Sequence, residues 1–486
     1  MAPMEHLEHA APHLRELADR MFSRTAGAGL ISGNRVRLLE DGRENYPAWL
    51  SAIRAAKHHV HFENYFIYDD AVGREFSQAF QAKAREGVRV RIVYDWLGGL
   101  GKASRRFWRT LRDAGVEVRV HNPLRLSEPF SWISRDHRKT LVVDGEVGYV
   151  TGLCVGQMWV GDPTRSLAPW RDTGVEIRGP AIAEMARAFA RMWATLGLPL
   201  PEADFIREPP AVGDVSLRIV SSEPSTASML LLDQLVAAIA RKRLWLTDAY
   251  YSGIPSYLQA LSAAAQDGVD VRLLVPHATD IPLLKPVSRA GYRALLEAGI
   301  RVFEWNGPML HAKTAVADAR WARVGSTNLN IASWLGNFEL DAVIEDAAFA
   351  AEMEQLYLRD LANSTELVFD KRHKVSAPGQ PRTPGGIRHR SGSAGAIAAG
   401  AVRVGNAVGT VLATHRVLAP AKDGLTFLAG ALLCAAAALI TVFPRIIAVP
   451  AAALGIWVGL ALLWKGAQLR RRSKRAAGTI RDPETS

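Results

Sequence analysis

The sequence predicts an α/β protein: two duplicated α/β sandwich halves with a shared site at their interface, followed by a C-terminal transmembrane helical hairpin. Three observations carry this. Strand-like and helix-like segments alternate from Asn34 onward, with glycines closing the helices. The same alternation recurs after roughly 180 positions, which is an internal duplication and not a short-period repeat. Two long uncharged apolar runs stand near the end of the chain.

Residues 1–30 come first. Leu7, Ala11, Leu14, Ala18, Met21 and Phe22 fall at helical spacing, predicting an amphipathic helix packed on the domain, with a membrane-surface helix as the alternative. No continuous apolar core of a signal peptide is visible there.

Residues 31–200 form the first predicted half. RVRLLE reads as a strand, YPAWLSAIRAAK as a helix and HVHFENYFIY as a strand. GREFSQAFQAKAREG is a helix stopped at Gly87. VRVRIVYD is a strand, RRFWRTLRDAG a helix and VEVRVHN a strand. Residues 201–370 repeat the scheme. LLDQLVAAIARKRLWLTDAYY, LSAAAQDGVDVRLLVP and ALLEAGIRVFEW answer the corresponding stretches of the first half. A mixed or largely parallel sheet follows.

Residues 371–421 are rich in Pro, Gly, Ser and basic residues, a linker with a possible interfacial helix. Within 422–466, Leu425–Phe443 and Ile446–Trp464 are uncharged, and only Pro444 and Arg445 separate them. Each can cross about 30 Å of hydrocarbon. Lys422 precedes the hairpin, and a basic tail, 467–486, follows it. Both ends are therefore expected on the cytoplasmic side of the inner membrane, with the catalytic part facing the cytoplasm.

The 486 residues carry a formal net charge of +11, unevenly spread. From Lys371 onward there are seventeen Lys and Arg against three acidic residues, which leaves 42 basic against 45 acidic in residues 1–370. A near-neutral folded part argues against a nucleic-acid partner, and basic flanks suit an anionic membrane surface. Cys154 and Cys434, the two cysteines, lie too far apart in sequence and context to suggest a disulfide framework or a cysteine zinc site.

Both halves carry one polar pattern. HRKTLVVD holds His137, Lys139 and Asp144; HAKTAVAD holds His311, Lys313 and Asp318. If both stretches are strands, each histidine and lysine two apart share a face. Two imidazoles and two ammonium groups meeting at the interface form a phosphate site. One imidazole attacks phosphorus and the other protonates the leaving oxygen. The lysines supply the electrostatic role, so no metal or other cofactor is expected. By parity Asp144 and Asp318 fall on the opposite face, as structural ion-pair partners. Downstream, Ser326 and Asn328 of GSTN can donate to phosphate oxygens, and Asp172 and Glu339 are candidates to orient the histidine of their own half.

These motifs, with DHRKTLVVDGEVGYVTG, WRDTGVEIRGP and NFELDAVI, resemble the phospholipase D superfamily over residues 31–365, most of all bacterial cardiolipin synthases. The resemblance implies a phosphatidyltransferase. Such an enzyme moves a phosphatidyl group from a donor phospholipid to phosphatidylglycerol through a phosphohistidine, and the resemblance points to His137 as the attacking residue. Two departures stand out. TGLC puts Thr151 and Cys154 where the family tetrad has glycine and asparagine, and the predicted hairpin follows the catalytic part. A hydrolytic phospholipase D, a phosphodiesterase acting on nucleic acid and a non-catalytic scaffold are the alternatives. Phe130, Trp132 and Ile133 read either as a membrane-dipping loop or as cover for the core edge. Glu63 and Asp248 are expected at matching strand positions, without a role.

Overall fold

The computed structural model describes residues 19–123, 134–204, 209–280, 284–369 and 375–376, together with 456, 457, 460 and 464. Residues 1–18 of the predicted amphipathic helix, the predicted hairpin, the linker, the tail, Phe130, Trp132 and Ile133 therefore lie outside the described residues, apart from Val375 and Ser376 of the linker and those four C-terminal positions. Among the described residues no helix is long and apolar enough to cross a membrane.

The first half comprises β1 (Ile31–Glu40), α1 (Asp41–Ala55), β2 (His59–Asn64), α2 (Ala71–Arg85), β3 (Arg89–Asp95), α3 (Arg105–Asp113), β4 (Glu117–His121), β5 (Lys139–Val143), β6 (Val147–Thr151), β7 (Thr173–Arg178) and α4 (Ile182–Thr195). The second half repeats the order with β8 (Val215–Ser222), α5 (Ser228–Ile239), β9 (Arg243–Thr247), α6 (Pro255–Gln266), β10 (Asp270–Pro276), α7 (Leu284–Glu297), β11 (Arg301–Trp305), β12 (Thr314–Ala317), β13 (Trp321–Gly325), β14 (Glu339–Glu345) and α8 (Ala347–Ala362). β15 (Ser364–Phe369) and β16 (Val375–Ser376) follow. Before β1, a helix over 19–26 packs Phe22 on the core of the second half, and Asp19 reaches Arg218 at 3.3 Å.

Among the described residues all sixteen strands join one sheet, ordered β16-β15-β11-β10-β9-β12-β13-β14-β8-β1-β7-β6-β5-β2-β3-β4. Read outward from the antiparallel β1–β8 pair, the two sides match strand for strand as far as β4 and β11, which is the signature of a pseudo-two-fold; β15 and β16 extend the second half alone. β2-β3-β4 and β9-β10-β11 run parallel, while the strands between these blocks pair antiparallel. The sheet and both histidine motifs belong to a single compact unit.

Helices cover both faces because the strands are apolar on both. One half's core gathers Trp49, Phe62, Phe76, Phe80 and Leu111. The other gathers Leu232, Val236, Leu246, Leu261 and Leu295. On the remaining face α4 and α8 lay Ile182, Met185, Met353 and Leu356 over residues of both halves, including Val142, Val175, Leu217 and Ile219. That shared layer welds the halves, so the motifs meet across a packed core and not across a hinge.

Candidate active site

β5 and β12 are equivalent strands, but the histidines lie just outside them. Lys139 is the first residue of β5, whereas His311 and Lys313 both precede β12. The reason is a cross-half exchange. The His137 N–H donates to the Phe338 carbonyl at 2.9 Å, and the Phe338 N–H to Arg135 at 2.8 Å. The His311 N–H donates to Arg171 at 2.7 Å, and the Arg171 N–H to Met309 at 2.8 Å. Each motif thus pairs with the other half's carboxylate segment before entering its own sheet.

This exchange corrects the expected pairing of histidines and carboxylates. Glu339 follows Phe338 and meets His137, Oε2 to Nδ1 at 2.9 Å; Asp172 follows Arg171 and meets His311, Oδ2 to Nδ1 at 2.8 Å. Each carboxylate orients the histidine of the opposite half. Both are fully buried and further held. The Ser326 hydroxyl donates to Glu339 at 2.6 Å, and the Trp159 indole N–H donates to Asp172 at 3.0 Å. Ser326, expected on phosphate, therefore spends its proton on the orienting carboxylate. Asn328 is 4% exposed, and its carboxamide oxygen is buried without a partner.

The lysines close the arrangement. Lys139 Nζ donates to the His137 carbonyl at 2.5 Å, and Lys313 Nζ lies 2.9 Å from His311 Nδ1 and donates to the His311 carbonyl. Aromatic rings wall the histidines. Tyr65 stands edge-on to His137 at 5.0 Å; Trp159, Trp170 and Tyr250 surround His311 at 5.6, 5.8 and 5.9 Å. These four rings were missed in the sequence. Tyr65 and Tyr250 stood within the repeated stretches, right after β2 and β9, and that position was their only signal.

Electrostatics shows one site and not two. Burial lowers His137, and Lys139 and Lys313 lower it further against the pull of Glu339. His311 is pushed down to about 4 by burial and by Lys313, with Lys139 adding. Lys313 is pushed down to about 8, first by burial and then by Lys139. Each histidine feels the lysine of the opposite half, so the four groups share a pocket. Burial alone would raise Asp172 and Glu339, but their histidine partners and nearby lysines hold both below their ordinary values. At neutral pH the site thus holds two neutral imidazoles on two carboxylates beside Lys139 and Lys313. Among the described residues no group of His, Cys, Asp or Glu is arranged to hold a metal ion.

Asp144 and Asp318, the third residues of the two motifs, stand outside this pocket and take no part in its chemistry. Each sits past the far end of its strand, roughly 17 Å along β5 from Lys139 in the case of Asp144. Asp144 accepts the backbone N–H groups of Lys57, His58 and His59 at 2.7, 2.8 and 2.7 Å, and Asp318 accepts those of Arg241, Lys242 and Arg243 at 2.8, 2.8 and 2.9 Å. They are amide acceptors, not ion-pair partners, and they fix the turns that start β2 and β9.

The TGLC departure has a local compensation. Thr151 faces Gly174 across β6–β7, and Gly325 faces Asp341 across the equivalent β13–β14. A Cβ on Gly174 would lie 2.1 Å from Asn45 Oδ1 and 3.0 Å from the Thr151 hydroxyl, and one on Gly325 would lie 2.2 Å from Asp341 Oδ1. From the sheet, each half places one side chain at this crossing, on opposite strands. Cys154 is a buried free thiol, raised by burial and lowered in part by both lysines, so it borders the pocket at the asparagine position. The register also corrects one match. Val60 pairs Val143 and Leu244 pairs Ala317, so Asn64, not Glu63, is the counterpart of Asp248. Glu63 instead faces the buried Arg138 at 3.5 Å.

Comparison with known proteins shows what the chain is similar to. Residues 49–193 and 235–361 match a family described as "Cardiolipin synthase, PLD-like domain". The chain is 32% identical over 377 residues to a cardiolipin synthase of Halalkalibacterium halodurans, covering 76% of this chain and 74% of that one. It is 35% identical over 353 residues to cardiolipin synthase A of Pseudomonas aeruginosa, covering 71% and 70%. The crystal structure of a Haemophilus influenzae phosphatidylserine synthase shares the fold, with a TM-score of 0.57 at 12% identity over 72% of this chain and 91% of that one.

Proposed function

The chain belongs to the cardiolipin synthase family of phospholipase D-like proteins, and from that premise we propose that it transfers a phosphatidyl group from a donor phospholipid to phosphatidylglycerol. The observation that supports this most strongly is the crossed pair of imidazole–carboxylate couples, Glu339 on His137 and Asp172 on His311, sharing one lysine-lined pocket.

With Nδ1–H held by its carboxylate, each histidine presents a neutral Nε2. In our reading His137 Nε2 attacks phosphorus. A P–N bond forms, the P–O bond to the leaving alcohol breaks, and His311 gives that oxygen a proton. Burial and Lys313 push His311 down to about 4, so it acquires this proton when the phosphodiester's charge joins the lysines. In the second step His311 takes the proton of a glycerol hydroxyl on phosphatidylglycerol. That oxygen attacks phosphorus and the P–N bond breaks. Lys139 and Lys313 stabilise the equatorial oxygens throughout, with Asn328 as a further donor.

A membrane anchor fits a lipid substrate. Ile456, Leu460 and Trp464 are helical, follow one another at i, i+4 spacing and are 64%, 62% and 61% exposed, an apolar stripe within the second uncharged run. We place the anchor in the inner membrane, with the catalytic part on the cytoplasmic side.

The test gives the purified full chain labelled phosphatidylglycerol in mixed micelles. Diphosphatidylglycerol plus glycerol is the expected product; phosphatidic acid alone would make the enzyme a hydrolase. His311→Ala should still trap labelled phosphatidyl-enzyme after acid-free quenching, and His137→Ala should trap none. The reverse pattern would exchange the two roles.

A further inference from the structure

Helix α3 carries an unusual surface. Phe107, Trp108 and Leu111 face the core, while Arg105, Arg106, Arg109 and Arg112 are exposed. Among the described residues no carboxylate lies within ion-pair distance of Arg105, Arg106 or Arg109. Arg37, Arg54, Arg74 and Arg301, also exposed, each pair with a carboxylate; what sets α3 apart among the described residues is that several unpaired arginines share one short helix.

The row does not serve the helix that bears it. Arg105 and Arg106 occupy the first turn, where the helix dipole disfavours cations. Arg105 and Arg109, Arg106 and Arg109, and Arg109 and Arg112 are like-charge neighbours three or four residues apart, which repel. An anionic surface that offsets this repulsion is the natural complement.

Its location gives the row a purpose. Ser104 caps α3 by accepting the Phe107 N–H at 3.0 Å and donates to Asp69 at 2.9 Å. The Asp69 N–H donates to the Lys102 carbonyl at 3.0 Å, and the Lys102 ammonium reaches the Tyr68 hydroxyl and lies 5.5 Å over Phe66. That segment begins with Tyr65, the ring against His137. The arginine row therefore starts from the segment that follows Tyr65.

We propose that the exposed arginine face of α3 is a landing surface for anionic phospholipid headgroups, turning the Tyr65 side of the site toward the bilayer. This binding role is independent of which phosphodiester the site turns over. It is tested with the full chain in lipid nanodiscs, by amide hydrogen exchange over residues 105–113. Anionic discs at low salt should slow exchange on the order of tenfold relative to zwitterionic discs, and high salt should abolish the difference. Arg105→Gln, Arg106→Gln and Arg109→Gln together should abolish it too, while leaving turnover of a dispersed short-chain phospholipid unchanged. Equal exchange in both discs, or equal protection by zwitterionic lipid, overturns the proposal. So does protection that appears only when an acidic protein co-purifies. If the triple variant does not fold, the lipid and salt dependence of the parent chain decides alone.

Discussion

Asp144 and Asp318 share the spacing of the pocket residues yet serve the backbone. Three amide donors converge on each carboxylate, which is why both tolerate a positive φ, 53° and 51°, at the strand end. Burial would raise Asp144, but those amide bonds hold it below its ordinary value. Asp144→Ala should therefore cost about 1–3 kcal/mol in chemical denaturation and leave kcat of the folded enzyme unchanged. A kcat collapse with stability intact would return the residue to the chemistry. Glu339→Gln should do the opposite. It keeps the packing but loses the carboxylate that sets the His137 tautomer, so kcat should fall by about 10²–10⁴. The crossed arrangement adds a sharper expectation. Glu339→Gln should slow formation of the covalent intermediate at His137, although Glu339 lies in the second half of the sequence. The parity of the motif placed Asp144 and Asp318 on the other face; what they bind there depended on turns 85–87 and 75–77 residues away in sequence, and no spacing rule reaches that far.

At the scale of elements, the two tetrads differ because two neighbouring strands trade one side chain. In the first half Asn45 and Thr151 together fill the space above Gly174. In the second, Asp341 fills the space above Gly325 and accepts the Thr327 hydroxyl. Read along one strand, TGLC looks like a damaged motif; read across two, it is a compensated one. Gly325→Thr alone should overpack the crossing and cost about 1–3 kcal/mol. Adding Asp341→Gly should recover part of that loss, with a coupling of about 1 kcal/mol or more in a double-mutant cycle. Additive losses would show that the two positions do not share the space. The strands and helices themselves were legible, since α3 and β3 begin and end within a residue or two of their expected bounds. The entry to β5 was not, because its first residues pair with the other half and not with a sequence neighbour.

Across the whole molecule, burial sets opposing pH demands. His311 and His61 are pushed down to about 4 and about 3, chiefly by burial. The unfolded chain binds more protons at these sites below 6.5, so their contribution is complete above that pH and is lost as pH falls toward 4. Asp341 and Asp248 are pushed up by burial to about 7 and about 6, against the pull of Arg323 and Lys313 respectively. Here the folded chain holds the extra proton, so their contribution is complete below 3.8 and is lost as pH rises toward 7. Stability should therefore pass through a shallow maximum in mildly acidic solution. Asp341→Asn should flatten the decline on its high-pH side, measured as denaturation midpoints across pH. A variant with the parent's slope would remove Asp341 from that account.

The sequence by itself determined the duplicated α/β halves, the two histidines and two lysines, and the family. Those features are written in local periodicity and short-range spacing, which each half repeats independently. Only the tertiary structure decided which carboxylate serves which histidine, where the motif aspartates act and why the first tetrad can depart from the second. Each of these depends on contacts between segments brought together by the pseudo-two-fold, and the energy of such contacts is a property of the packed pair of halves, not of either stretch alone.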